Sequence, residues 1–418
     1  NSMIGFLMQL IKTFKALRPS PEKASEVIAP PYDVLNSEEA REMSQNKPYS
    51  FLHISKPEID LPAGIKTDDP KVYKQGAENL IKMIDDKILI QEESECLYVY
   101  EIAFGTSKQT GIACVASVEA YRKNQIKKHE FTKPVKEDDR VNNINELKAQ
   151  TGPVLLAYQN THEISDLLSK VKEKETLYDV SAPDGSNHKI WLVNESKFFN
   201  PILEEINSME SLYIADGHHR SAAASRVMEE MKKNNNTHTG QEDYNFFLSV
   251  AFPHSEMSIL DYNRIIKELN NSKDELISNI KENFYITLHE GQFKPKQKGQ
   301  FGMYIEGKWY NLEIKEEKVD IKDPVKSLDV SILHDFLIEP FLGIKDERTD
   351  QRIDFVGGAR GLGELERRVN NDGFKIAFSL YPTPIEALID VANANKVMPP
   401  KSTWFEPKLL DGLLSHKI

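Results

Sequence analysis

The stretch SLYIADGHHRSAAASRV, residues 211–227, gathers an acid, a glycine, two histidines and an arginine in consecutive positions, Asp216 to Arg220. An apolar, strand-like run ends at Ala215, and an alanine-rich helical pattern begins just after the arginine. A strand that ends on glycine and opens a helix presents unpaired backbone N–H groups and the positive end of the helix dipole, which suits an anion. Gly217 lets an oxyanion approach the backbone closely. Arg220 offers a planar fork of donors that matches phosphate oxygens. His218 and His219 can donate hydrogen bonds or titrate near neutral pH. Asp216 can cap the helix, orient a histidine or hold a metal ion. Ser221 to Ala224 are small, so the helix can pack tightly on a sheet, and Ser221 joins the candidate phosphate contacts. The competing reading makes Asp216 a plain N-cap and the histidines incidental surface residues. Zinc is disfavoured, because neighbouring helical residues point about 100° apart and no HxxxH pair occurs.

A second cluster is IKKHEFTKPVKEDDR. His129 and Glu130 are adjacent, and Thr132, Lys133, Asp139 and Arg140 follow. The stretch reads as a polar loop after a hairpin, and loops held by a rigid scaffold concentrate catalytic groups. Glu130 can serve as a general base on a substrate hydroxyl. His129, Thr132, Arg140 and the nearby lysines Lys127, Lys128 and Lys133 are candidate phosphate contacts. A solvated charged loop is the bland alternative. In IAPPYDVL, Tyr32 and Asp33 follow two prolines and stand either at a rigid turn or at the rim of the same pocket. Near the C-terminus, MPPKSTWFEPKLLDGL carries Lys401, Ser402 and Thr403, which resemble a phosphate-binding pair, but Pro399 and Pro400 replace the P-loop glycines. The expectation is that this tail returns to the site and supplies Lys401 or Lys408. DFVGGARGLGELERRV lacks G-x-G-x-x-G spacing and reads as a strand-to-helix loop.

These groups need elements to position them. Strand-like and helical runs alternate without a strict βαβ period, which predicts an α+β fold of mixed sheets with packed helices. CLYVYEIAF and GIACVASVEAY read as a hairpin. VYKQGAENLIKMIDDKILI reads as a helix, as does the segment from Asn142 to Gln150. Asn36 or Ser37 is expected to cap a helix at Glu38 to Gln45. The pattern restarts near Ile265, so two parts are expected, 14–265 and a smaller α/β part at 266–418. With 418 residues, 39% of them hydrophobic, the chain can build a real core. A net charge of −12 disfavours nucleic acid and anionic membranes as partners. The two cysteines, Cys96 and Cys114, have no CxxC spacing and fit a reducing compartment. No run approaches the length of a membrane helix. The start, NSMIGFLMQLIKTF, reads as a first strand or helix rather than a signal peptide, so a cytoplasmic protein is expected.

YIADGHHRSAAA resembles the phosphate-binding box of the ParB/sulfiredoxin superfamily, a Gly-x-(His/Arg)-Arg turn between strand and helix. The resemblance implies a ParB/sulfiredoxin-like core in the N-terminal two-thirds, with phosphate contacts at Gly217, His219 and Arg220. His218 stands where sulfiredoxins carry their catalytic cysteine, so redox repair is not implied. Over nearly its full length from Phe14, through KKHEFTKP, IADGHHR and VMPPKSTWFEPKLLDGL, the chain resembles the prokaryotic family known as domain of unknown function 1015. That family name implies no activity.

The expectation is a phosphotransferase or nucleotide hydrolase that binds ATP or another nucleoside phosphate with Mg²⁺. Its substrate would be a small hydroxyl-bearing metabolite, and the superfamily's free-serine kinases imply a serine-type amino acid. Arg220, His219 and Gly217 would hold phosphates. Asp216 would orient His218 or bind Mg²⁺ through water, and Glu130 would be the base. Alternatives are a ParB-like nucleotide switch that binds a partner, and a metal-dependent hydrolase using His129, His218 and His219.

Overall fold

The computed structural model describes residues 8–418 and is a mixed α+β architecture with several sheets. Residues 1–7, the start of the expected first strand or helix, lie outside the described residues. The chain divides into two compact units, residues 1–257 with 407–418, and residues 258–406. The sequence reading puts its boundary near 265 and counts the tail within 266–418 as a segment returning to the site, whereas residues 407–418 group with the first unit.

The first unit is built on a nine-stranded sheet. Its strands are β1 (Ile11–Lys12), β2 (Leu97–Phe104), β3 (Ser107–Ser117), β4 (Ile126–Lys127), β5 (Val154–Tyr158), β6 (Tyr178–Ser181), β7 (Asn187–Val193), β8 (Leu212–Asp216) and β9 (Phe246–Pro253). The order across the sheet is β4-β8-β5-β9-β3-β2-β7-β6, with β1 beside β3. β2 and β3 form the expected hairpin, in register from Tyr98–Ala113 to Phe104–Ser107. β9 runs parallel to β5 and antiparallel to β3, so the sheet is mixed. Near-continuous apolar runs such as VLLAY and FFLSVAFP are buried along their whole length, as strands covered on both faces require.

The longer helices of this unit, each of seven residues or more, are α1 (Ser37–Met43), α2 (Pro70–Asp85), α3 (Pro134–Leu147), α4 (His162–Val171), α5 (Ser196–Asn207) and α6 (His218–Lys233). Asn36 caps α1, accepting from the Glu39 N–H while Glu39 answers the Asn36 N–H, a full capping box. α2 stops at Asp85, short of the expected length. Lys87 turns left-handed at φ 58°, and Leu89–Gln91 pairs as a strand with Leu17–Pro19. α3 begins eight residues before the expected Asn142. Pro134 sits at its first turn, where a missing N–H costs nothing, and Lys148 ends it at φ 56°. The tail 407–418 is woven into this unit through backbone pairs Ala29–Asp411, Leu17–Ser415 and Gln150–His416.

The second unit holds an antiparallel six-stranded sheet. Its strands are β10 (Tyr262–Ile266), β11 (Phe284–His289), β12 (Gln300–Ile305), β13 (Lys308–Ile314), β14 (Ile353–Gly357) and β15 (Ile376–Leu380), in the order β11-β13-β12-β15-β10-β14. Helix α7 (Leu362–Asn371) seals its core with Leu365 against Ile265, Tyr304, Trp309 and Ala377. Arg264 is wholly buried there. Its guanidinium donates to the carbonyls of Tyr262 (2.7 Å), Lys401 (2.8 Å) and Pro400 (3.0 Å), and Nε lies 3.4 Å from Glu347. A buried charge persists only with such partners. None of the described helices is long and apolar enough to cross a membrane.

Candidate functional site

β8 carries Asp216 to its end, and the register against β5 shifts between Ile214 and Asp216, leaving Ala215 as an extra residue. Such a bulge re-aims the side chain that follows it. Gly217 then takes φ 97°, the left-handed region, and is the N-cap of α6 with no side chain capping the helix. Asp216 is therefore not the side-chain cap of α6. Its Oδ1 accepts the Gly217 N–H at 2.9 Å. Its Oδ2 lies 3.5 Å from Lys408 Nζ and 4.0 Å from Arg220 Nη2. Burial opposes ionisation of this carboxyl, but Lys408 and Arg220 outweigh it and hold the group well below its usual range.

Arg220 is threaded between backbone segments. Nη1 donates to the Pro153 carbonyl. Nη2 faces Asp33 at 3.9 Å and Asp216 at 4.0 Å, contacts longer than a hydrogen bond. Gly152 and Gly217 make room for the side chain. A Cβ at Gly152 would lie 3.1 Å from Arg220 Cδ, and one at Gly217 3.3 Å from its Cζ. Burial works against the Arg220 charge, yet Asp33 and Asp216 more than restore it, so the guanidinium stays protonated.

The two histidines face the 129–133 loop. His218 is buried, 4% exposed, and its Nε2 accepts the His129 N–H at 3.2 Å. His219 Nε2 accepts the Lys133 N–H at 3.1 Å. Burial pushes both rings toward the neutral form; His219 falls to about 4, with Lys136 as the next contributor. Glu130 Oε2 lies 3.6 Å from His218 Nδ1, and its side chain is 53% exposed. His129 packs edge-on against His218 with ring centroids 4.4 Å apart. Burial lowers His129 to about 4, and its Nδ1 has no hydrogen-bond partner among the described residues.

His129, Glu130 and His218 place candidate ligand atoms within 4.8 Å of one another. However, an imidazole that accepts an N–H at Nε2 carries its own proton at Nδ1. His218 therefore has no lone pair to offer a metal, and the trio is reduced to two ligands. His219 is engaged in the same way at Lys133, so the sequence-based trio of histidines does not converge as a metal site.

Other candidates stand as follows. Ser221 is fully buried and its Oγ donates back to the His218 carbonyl at 3.0 Å. Thr132 Oγ1 donates to Glu137 at 2.9 Å, bracing the start of α3. Arg140 donates to Asp139 at 2.6 and 3.0 Å, and its guanidinium lies 3.7 Å above the Tyr32 ring. Tyr32 and Asp33 thus join the group through Arg140 and Arg220. Lys401, Ser402 and Thr403 belong to the second unit. There the Lys401 carbonyl accepts from Arg264, Ser402 Oγ donates to Pro399 at 2.7 Å, and the Ser402 carbonyl accepts from Thr383. Within the tail, Lys408 reaches Asp216 and Asp411 lies near Arg220.

Two residues escaped sequence reasoning. Tyr73 OH donates to Asp139 Oδ1 at 2.6 Å, from a helix whose sequence shows only amphipathic spacing. Asp411 is 2% exposed, and burial raises its carboxyl to about 7 despite Arg220 nearby. Its one sequence signal is the Asp411–Gly412 pair, with Gly412 at φ 102°.

The family described as "Protein of unknown function (DUF1015)" matches residues 11–331. The chain belongs to this family. No curated protein matches it. Among solved structures, a conserved hypothetical protein from Pyrococcus furiosus aligns at 14% identity over 73% of this chain and 94% of that one, with a TM-score of 0.33. A mutant free serine kinase in complex with ADP aligns at 15% identity, 74% and 91% coverage and a TM-score of 0.35. C-terminally truncated SbnI from Staphylococcus aureus aligns at 9% identity, 72% and 85% coverage and a TM-score of 0.37. At these values the function of this DUF1015 protein must be argued from its own residues.

Proposed function

We propose that the start of α6 binds the phosphates of a nucleotide, and that the first unit is a phosphotransferase acting on a small hydroxyl-bearing metabolite. The observation that carries this reading is Arg220. It is anchored at Pro153 and faces its carboxylate neighbours at 3.9 and 4.0 Å, beyond hydrogen-bond length, beside a helix start that no side chain caps. That combination suits an oxyanion. The likeness of YIADGHHRSAAA to the ParB/sulfiredoxin phosphate box supports it.

Gly217 and the first N–H groups of α6 would meet the phosphate from the backbone side, and Arg220 from the side-chain side. Glu130, more than half exposed, would accept a substrate hydroxyl proton. Phosphoryl transfer depends mainly on positioning and charge neutralisation. Mg²⁺ keeps several waters and binds through few carboxylates. Asp216 fits that role, being held ionised and 37% exposed, and would hold Mg²⁺ through water. The bound ion would supply charge neutralisation between the phosphates and this carboxylate.

Calorimetric titration of the whole chain with ATP, ADP and AMP in magnesium buffer tests the reading, with Arg220→Gln beside the wild type. The expected outcome is binding that weakens roughly 10- to 100-fold in the variant, the value of a charge-assisted contact of ~1.5–3 kcal/mol. Equal affinity in both proteins removes Arg220 from the site. Release of ADP only when amino acids or sugars are added would mark a kinase. Binding without turnover would favour the nucleotide switch.

A further inference from the structure

The adjacent histidines reach two different points of one loop. Neighbouring helical side chains diverge by about 100°, which prevents a shared target and permits this. His218 takes the N–H of His129, and His219 takes the N–H of Lys133. Between those points lie Glu130, Phe131 and Thr132, which form no helix or strand. The two donors differ in burial, the first lying inside the protein and the second at the surface. The His129 residue is buried at 2% exposure, where an N–H without an acceptor is costly. Lys133 is the N-cap of α3, where its own N–H has no helical acceptor.

We propose that His218 and His219 form a two-point clamp that fixes the 129–133 loop on the start of α6 and so sets the position of Glu130. A backbone N–H can only donate, so both Nε2 atoms act as acceptors and both rings carry their proton at Nδ1. The His218 Nδ1–H then faces the Glu130 carboxylate at 3.6 Å. Granted the phosphate-site reading, these histidines are positioning residues for Glu130 rather than phosphate ligands. The clamp also ties the candidate base to the same helix turn that presents Arg220. It explains an HH pair at this turn without a metal or a phosphohistidine.

The experiment reads the clamp without any nucleotide, so its failure and the failure of the phosphate reading are separate results. Amide exchange over residues 128–134 is followed by mass spectrometry at pH 7 for the whole wild-type chain, His219→Ala and His219→Gln. A glutamine carbonyl can reach the place of Nε2. Exchange at Lys133 should rise roughly 5- to 10-fold in His219→Ala, matching one hydrogen bond of ~1 kcal/mol, and return toward wild type in His219→Gln. Wild-type exchange in His219→Ala overturns the clamp, as does an equal rise in both variants. Because His218 is buried, its variant can fail to fold. Its arm is therefore the ¹⁵N spectrum of histidine-labelled wild-type protein, where both rings should show the Nδ1–H tautomer. An Nε2–H tautomer at either ring overturns the proposal.

Discussion

Gly217→Ala separates backbone strain from crowding at the arginine. Gly217 adopts φ 97° and ψ 30°. An L-residue in left-handed conformation costs ~1–2 kcal/mol. The new Cβ would also lie 3.3 Å from Arg220 Cζ, Arg220 Nε and Val154 Cα. The guanidinium can give way by a few tenths of an ångström, but Val154 Cα is β5 backbone and cannot. The loss should therefore be at least the strain cost. At ~2–4 °C per kcal/mol for a domain of this order, the melting midpoint should fall roughly 2–8 °C. Gly152→Ala is the control. Its Cβ would meet Arg220 Cδ at 3.1 Å, yet Gly152 is not among the positive-φ residues. It should disturb Arg220 with little strain, losing less stability than Gly217→Ala while weakening nucleotide binding. Scanning calorimetry gives the midpoints, and urea titration checks that the slope m is unchanged. A Gly217→Ala midpoint within about 1 °C of wild type refutes the strain term. A larger loss for Gly152→Ala than for Gly217→Ala refutes the division between the two terms.

Asp411 should make the first unit pH-sensitive. Its folded pKa of about 7 stands above the usual carboxylate value, so its contribution is complete below pH ~4 and is lost as pH rises toward 7. Asp411→Asn should therefore match wild type at pH 4 and exceed it at pH 8, by on the order of 1–4 kcal/mol at ~1.4 kcal/mol per unit; equal pH profiles in urea titrations would count against it. Arg264→Leu should destabilise the second unit by ~3–5 kcal/mol, because the three carbonyls it served lose their buried donor and Glu347 is left with His334; a neutral effect in calorimetry would show that water enters. Tyr73→Phe should cost ~0.5–1.5 kcal/mol by removing the donor to Asp139, a loss read from the urea midpoint and disproved by an unchanged one.

Much of the architecture was legible because short-range rules governed it. The β2–β3 hairpin, the Asn36 capping box and the strand-to-helix turn at Gly217 follow from alternation, cap chemistry and glycine. Boundaries failed where a distant partner decided them. The helical pattern of α2 ran on through Ile88 and Leu89, but pairing with Leu17–Pro19 drew that end into a strand. α3 was read as a loop at its start because its polar sequence hides a helix that packs along α6, with Val141 and Ile144 against Ala223 and Val227.

By itself the sequence determined the α+β class, the anion-suited turn, and the types of side chain available to it. Those depend on local propensity and on chemistry that a residue carries wherever it stands. Only the tertiary structure decided how those side chains are used. Asp216, for which the sequence left a cap, a histidine partner and a metal ligand open, faces Lys408 and Arg220 from the end of the bulged β8. Arg140 was drawn to Tyr32 and Asp139, and of the C-terminal motif Lys408 came to Asp216 and Asp411 to Arg220, while Lys401 stayed with Arg264's carbonyl cluster. In sequence, His218 and His219 could titrate near neutral pH or, with His129, serve the metal-dependent alternative. In the fold their Nε2 atoms are spent on two backbone N–H groups, and a lone pair already accepting a hydrogen bond is not available for either task.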